Sequence, residues 1–257
     1  MRIVVRLTMA LLLFGLAAPA LAETPMVPCS GPRIEYPPVG AEPTILIFKA
    51  TDLAGWTPPA CTGWPAEKFE FIGTAAASFR HDGDAIELAR RYGAISEYAA
   101  MRYFSPSRQA WRELSFEASA LRDAKPANKR GDFTTAELVP GTARYFWQRG
   151  ATEAPAPFPG TIDLVNRIDV LERAPDRLVL AVTSEPGTIA LVMRLSRGDI
   201  RVFYFLERDQ NARDVWHYFA LTSLAGIAAL GADNFYRASA RGVFRHTAGL
   251  PAQVRAP

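Results

Sequence analysis

The chain has 257 residues, 49% of them hydrophobic and 21% charged, with a formal net charge of +3. This composition excludes a disordered or fibrous chain and suffices for one large domain with its own core. Part of the basic excess lies in Arg2 and Arg6; without them 27 basic residues face 26 acidic ones, a net +1, so charge implies no nucleic-acid partner.

Arg2 and Arg6, the apolar run Leu7 to Ala18, Pro19 and the small residues Ala20-Leu21-Ala22 make up the parts of a secretory signal peptide, with cleavage expected after Ala22. The run is short for the ~30 Å of hydrocarbon that a membrane helix must cross. Pro28 stands where a lipoprotein signal ending at Cys29 needs a small residue. A periplasmic or secreted protein without a transmembrane anchor after cleavage is therefore expected.

Residues 23–65 contain nine prolines and are predicted to run as an extended arm over the main body, since proline interrupts both ladders and helices. Within this arm Thr44 to Phe48 is β-prone, and Trp56, Cys61 and Trp64 offer apolar anchors. Cys29 and Cys61 are the two cysteines of the chain, and in an oxidising compartment they are expected to pair as a structural disulfide.

Residues 66–250 are read as a single domain and 251–257 as a loose tail. Phe69 to Phe79 suits a first strand, after which Asp84 caps a helix that ends at Gly93. Eight further β segments follow: Tyr98 to Phe104, Ala110 to Leu121, Thr142 to Arg149, Thr161 to Glu172, Arg177 to Val182, Ile189 to Leu195, Ile200 to Glu207 and Val215 to Leu221. Turns such as Pro140-Gly141, Glu185-Pro186-Gly187 and Arg197-Gly198-Asp199 lie between them. So close a spacing favours antiparallel pairing over βαβ crossovers. On Asp163 to Leu171, residues Leu164, Ile168 and Val170 share one face, while Asn166 and Leu171 break a clean alternation. A last helix, Asp233 to Thr247, places Phe235, Tyr236, Ser239, Ala240, Val243 and Phe244 on one side and Arg237, Arg241 and Arg245 on the other.

The predicted fold class is α+β: a curved, mostly antiparallel sheet with a short N-terminal helix and a long C-terminal helix packed on it. From Phe69 to Leu250 this element order resembles helix-grip (START-like) proteins, which implies a cavity between sheet and last helix; an up-and-down barrel accounts for the same elements. A second resemblance rests on Trp56-Thr57-Pro58-Pro59-Ala60-Cys61-Thr62-Gly63-Trp64, Gly93-Ala94-Ile95-Ser96 and the ending Phe244 to Pro251. These segments are similar to an uncharacterised family of exported bacterial proteins, which implies secretion and no particular chemistry.

Motifs for catalysis are absent. There is no Gly-x-Ser-x-Gly elbow, no Ser-x-x-Lys and no phosphate-cradling glycine loop. His81, His217 and His246 are scattered, without the spacing of a zinc site, so no metal or cofactor is expected. His81-Asp82-Gly83-Asp84 puts several ligand atoms on one turn, but a helix-capping turn explains the same residues; a hydrolase using His81 with Asp82 or Asp84 is the third choice. The leading expectation is a non-catalytic protein that holds a small apolar or amphipathic molecule between sheet and C-terminal helix, with Tyr145, Trp147, Tyr204, Trp216 and Tyr218 as candidate contacts. The second is an envelope interaction module that engages a protein or anionic partner through Arg237, Arg241 and Arg245.

Overall fold

The computed structural model describes residues 24–30, 34–67, 69–105, 108–151, 161–189, 193–226 and 232–251. The expected leader, residues 1–22, and most of the tail lie outside these. Nine strands pair in the order β1 (Thr44–Lys49), β2 (Phe71–Arg80), β13 (Val215–Leu224), β12 (Ile200–Arg208), β9 (Arg177–Ser184), β8 (Thr161–Ala174), β7 (Ala143–Ala151), β5 (Glu117–Leu121) and β6 (Lys129–Arg130). A short hairpin, β10 (Gly187–Ile189) and β11 (Met193–Leu195), joins the sheet beside β8. Every neighbouring pair is antiparallel. Among the described residues no ladder joins β1 to β6, so the curved sheet stays open and the barrel alternative is not formed.

Helix α1 (Ala85–Gly93) begins as its sequence demands: Asp84 accepts from the backbone N–H groups of Ile86 and Glu87. Three expected strands are corrected; one of them, Ile189 to Leu195, has its ends in β10 and β11, which pair with each other. Within Tyr98 to Phe104 the first residues are a 3-10 turn, Ile95–Ala100, in which Ser96 donates to the Asp132 carboxylate and the Tyr98 hydroxyl to the Tyr92 carbonyl. Only β3 (Arg102–Ser105) is extended. The segment Ala110 to Leu121 is not one strand but β4 (Ala110–Glu113), paired with β3, and β5, paired with β7. The backbone changes partner between them: Leu114 N donates to Met101 O, and Phe116 N donates to Arg149 O.

Side-chain parity builds two cores. Odd-numbered residues of β12 and β13, among them Phe203, Phe205, Phe219 and Leu221, pack on the convex face with Ile72, Ala76 and Val179. From the proline-rich N-terminal segment, Val27 and Leu53 are buried on this face, with Cys29, Tyr36, Trp56 and Trp64 packed against it; Thr44–Lys49 of the same segment joins the sheet as β1. Each large side chain buried in this way contributes on the order of 1.5–3 kcal/mol. Cys29 and Cys61 lie at disulfide distance, their Cα atoms 6.3 Å apart.

On the concave face lie α1 and α2 (Ala232–Ala248). Tyr236 and Phe244 of α2 meet Phe71 and Tyr218 edge-on or tilted, with ring centroids 5.5 and 5.4 Å apart. Gly73 on β2 leaves the space that the Tyr236 ring fills, since a Cβ there would come within 2.3 Å of it. The small-residue side of α2 makes its close approach to β3, not to the main sheet: a Cβ on Gly242 would lie 2.7 Å from the Arg102 carbonyl. The helix thus meets β2 through Tyr236 and closes on β3 at Gly242.

Candidate ligand cavity

Between α2 and the concave face lies a partly open cavity of about 240 Å³. The helix contributes Phe235, Tyr236, Ser239, Ala240, Val243 and His246. The sheet contributes even-numbered positions, including Phe146 and Gln148 on β7, Asn166 on β8, Tyr204 on β12 and Tyr218 and Thr222 on β13. Among the described residues the wall holds no Asp, Glu, Lys or Arg. Such a mostly apolar space with a few polar groups is how small-molecule sites are commonly built, and its size is just under the ~300 Å³ at the lower end of their range.

Five phenols cluster here. Tyr204 lies 5.1 Å from Tyr92 and 6.2 Å from Tyr218, ring to ring. Burial raises the pKa of Tyr92, Tyr98, Tyr204, Tyr218 and Tyr236 well above the ordinary tyrosine value, so all five are neutral donors. The Thr247 hydroxyl bonds the Tyr92 hydroxyl at 3.2 Å. Burial also lowers the pKa of His246, and Arg91 and Glu97 act on it in opposite directions.

Of the sequence candidates, the structure brings Tyr204 and Tyr218 into the cavity wall. Tyr145 and Trp147 do share one face, but it is the convex one: they pack with Leu121 and Val165, away from α2. Trp147 is capped by the Lys129 ammonium 4.1 Å above its ring and donates to Asp163. The expected pairing of Tyr204 and Trp216 with these residues fails because β9 and β8 separate β12 from β7. Trp216 is fully buried on the concave face but is not among the residues lining the cavity; Arg208 stacks on it at 4.7 Å. Phe146, Gln148 and Asn166 were missed, although period-2 counting from Tyr145 and Trp147 marks Phe146 and Gln148 as the opposite face.

The remaining candidates lie elsewhere. His81 is buried beside Arg91, whose guanidinium lies 3.3 Å from Nδ1, and burial followed by Arg91 lowers its pKa. Among the described residues no group of three His, Cys, Asp or Glu side chains is placed to hold a metal. The arginine stripe is engaged within the chain: Arg237 donates to the Ile45 carbonyl, Arg241 pairs with Glu42 at 3.7 Å, and Arg245 donates to the Pro251 carbonyl.

One constellation was invisible in the sequence. Ser78 Oγ lies 3.1 Å from His217 Nδ1, and His217 Nε2 lies 2.9 Å from Asp209 Oδ2. Ser78 and His217 are direct cross-strand partners on β2 and β13. The residue types are those of a hydrolytic triad. Here Ser78 is 4% exposed in mid-strand and Tyr36 of the arm stacks on the imidazole at 4.4 Å. The line therefore fastens the arm and the Asp209 turn to the sheet.

Two pH effects follow from the titrating groups. His81 and His246 have pKa values below the usual 6.5, so the unfolded chain binds protons that the folded chain refuses. Their destabilisation is expected to begin as pH falls through about 6.5. Glu137, pulled from 4.5 to about 2 by the Thr134 backbone N–H and by Arg130, stabilises fully above pH 4.5 and loses that contribution as pH approaches 2. Thermal melts from pH 7.5 to 2.5 should show both declines, the first shallower in His246→Phe. A wild-type midpoint that is flat from pH 7 to 5 would contradict the first assignment.

Fold and site together define an α+β protein whose open antiparallel sheet and C-terminal helix flank a tyrosine-rich cavity without charged side chains among the described residues. No family model matches the chain, and no curated protein matches it. Among solved structures it is similar to an uncharacterised protein from Rhizobium leguminosarum at 9% identity and a TM-score of 0.34, covering 68% of this chain and 92% of that one. So distant a likeness transfers nothing. Among the described residues no helix is long and apolar enough to cross a membrane, and the Cys29–Cys61 pair is compatible with an oxidising compartment.

Proposed function

We propose that this is an exported binding protein that holds a small, largely apolar molecule between its sheet and C-terminal helix. The observation that carries the reading is the 240 Å³ space itself, walled by aromatic and aliphatic side chains and by no charged group among the described residues. Its export rests on the signal-like leader, the cysteine pair and the resemblance of three segments to exported bacterial proteins.

Native mass spectrometry of the protein purified from the periplasm without detergent, followed by organic extraction, tests the reading. A reproducible adduct of small-molecule mass is expected. Tyr204→Ala should lower its occupancy about fivefold, whereas Trp147→Ala, on the other side of the sheet, should leave occupancy unchanged and affect stability alone. A bare mass under gentle conditions, or equal losses in the two variants, would count against the cavity as the binding site.

A further inference from the structure

Three polar atoms of the cavity wall have no hydrogen-bond partner: Asn166 Nδ2, the Tyr236 hydroxyl and His246 Nε2. They lie at separate places. The Tyr236 ring sits over Gly73 on β2, whereas Asn166 is on β8, with β13, β12 and β9 between them. His246 is about 15 Å further along α2 than Tyr236, at 1.5 Å per residue. One small functional group does not reach all three, and their requirements differ.

A hydroxyl turns its hydrogen towards whichever neighbour accepts, and beside Tyr236 stands Thr222, the register partner of Gly73. A neutral imidazole nitrogen donates or accepts according to its tautomer. The Asn166 amide nitrogen donates in every state, and Asn166 is 3% exposed in the centre of β8. Its partner on β9, Ser184, already accepts from the Ile200 backbone N–H, and its partner on β7 is Phe146. Leaving such a donor buried and unmatched is unfavourable. Gln148 lies two residues from Phe146 on the same face of β7 and lines the same cavity. It is the diagonal neighbour of Asn166, at the ~7–8 Å that long side chains span. One wall of the cavity therefore presents two neighbouring carboxamides among aromatic and aliphatic groups.

The ligand group opposite Asn166 must accept a hydrogen bond. A carboxylate accepts, but carries a charge into a wall that offers no counter-charge among the described residues. A hydroxyl accepts, but brings a donor that needs its own acceptor. A ketone or ester carbonyl is neutral, brings no donor and has two lone pairs, one for Asn166 and one for the Gln148 amide. We infer that the cavity recognises an uncharged lipophilic carbonyl compound, a ketone or an ester, with its carbonyl oxygen against Asn166 and Gln148. This rests on the binding function proposed above and adds the ligand's chemical class.

Equilibrium dialysis of the delipidated protein at pH 7 against four probes of nearly equal size decides it. The probes are 2-acetylnaphthalene, 1-(2-naphthyl)ethanol, 2-isopropenylnaphthalene and 2-naphthoate. Each neutral hydrogen bond gained contributes about a two- to tenfold difference in affinity. The expected order is the ketone tightest, the alcohol next, the hydrocarbon weaker and 2-naphthoate weakest. Asn166→Leu and Gln148→Leu should each remove several-fold of the affinity for the ketone. Both should leave 2-isopropenylnaphthalene within about twofold of wild type, which also shows that the cavity is intact in the variants. The infrared carbonyl stretch of the bound ketone should lie below its value in cyclohexane and move back up in Asn166→Leu. Equal binding of ketone and hydrocarbon, tighter binding of the alcohol or of 2-naphthoate, or a carbonyl stretch unmoved by Asn166→Leu overturns the carbonyl assignment and spares the cavity. Failure of all four probes to bind overturns both.

Discussion

Ala240→Trp is expected to abolish ligand occupancy while the protein remains folded. Ala240 is buried on the side of α2 that faces the sheet and lines the cavity. An indole placed there occupies much of the 240 Å³ without disturbing the helix backbone, since tryptophan is an acceptable helix residue. Overpacking a filled core costs about 1–3 kcal/mol, but the new ring here enters space that is already open, so the stability change should sit at or below the lower end. The readouts are adduct occupancy by native mass spectrometry, expected to fall at least tenfold, and far-ultraviolet circular dichroism, expected to be unchanged. Retention of the adduct would place the molecule elsewhere. Loss of the fold would show that the space beside Ala240 is not open as described.

The largest stability effect is expected from Cys29→Ser with Cys61→Ser. The pair is separated by 32 residues and ties the two ends of the arm that covers the convex core. In the chain-entropy picture, opening a loop of that length destabilises the protein by about 3–4 kcal/mol. The arm carries Val27, Leu53 and Trp56 onto Phe203, Phe205 and Phe219, so its release should expose an aromatic surface. Chemical denaturation of the double variant should show a lower midpoint, with binding of a hydrophobic dye at sub-denaturing concentrations. A midpoint within about 0.5 kcal/mol of wild type would mean that packing alone holds the arm.

Much of the fold could be read from the sequence because it depends on local rules. Asp84 was expected to begin α1 and does so, since an N-cap needs only its own side chain and the next three amides. The six-residue apolar side of α2 was visible at helical period, and its aromatic members do face the sheet. Antiparallel pairing followed from short turns between β segments. Boundaries failed where partner exchange sets them, as at Leu114 and Phe116, whose amides turn from β3's side to β7. No residue type there announces the change.

The two residues that broke the alternation on β8 have separate physical causes. Leu171 is 45% exposed because the strand shifts register between Val170 and Glu172, a bulge that removes it from the alternation. Asn166 keeps the register and is buried, a polar group held where an aliphatic side chain would be more stable. Departures of that kind concentrate at functional sites.

The sequence by itself determined the number and type of most elements, the side-chain parity along each strand, the helix cap and the cysteine pair. Each depends on backbone period, turn chemistry or a single pair of residues. The tertiary structure alone decided which parity faces the helix, and hence that Phe146, Gln148 and Asn166 line the cavity while Tyr145 and Trp147 do not. It also decided that Ser78, His217 and Asp209 meet, and that α2 closes on β3 at Gly242 and leaves the cavity beside Ala240. Period-2 alternation defines two faces without saying which is covered by what; that choice is made by the arm on one side and the helices on the other.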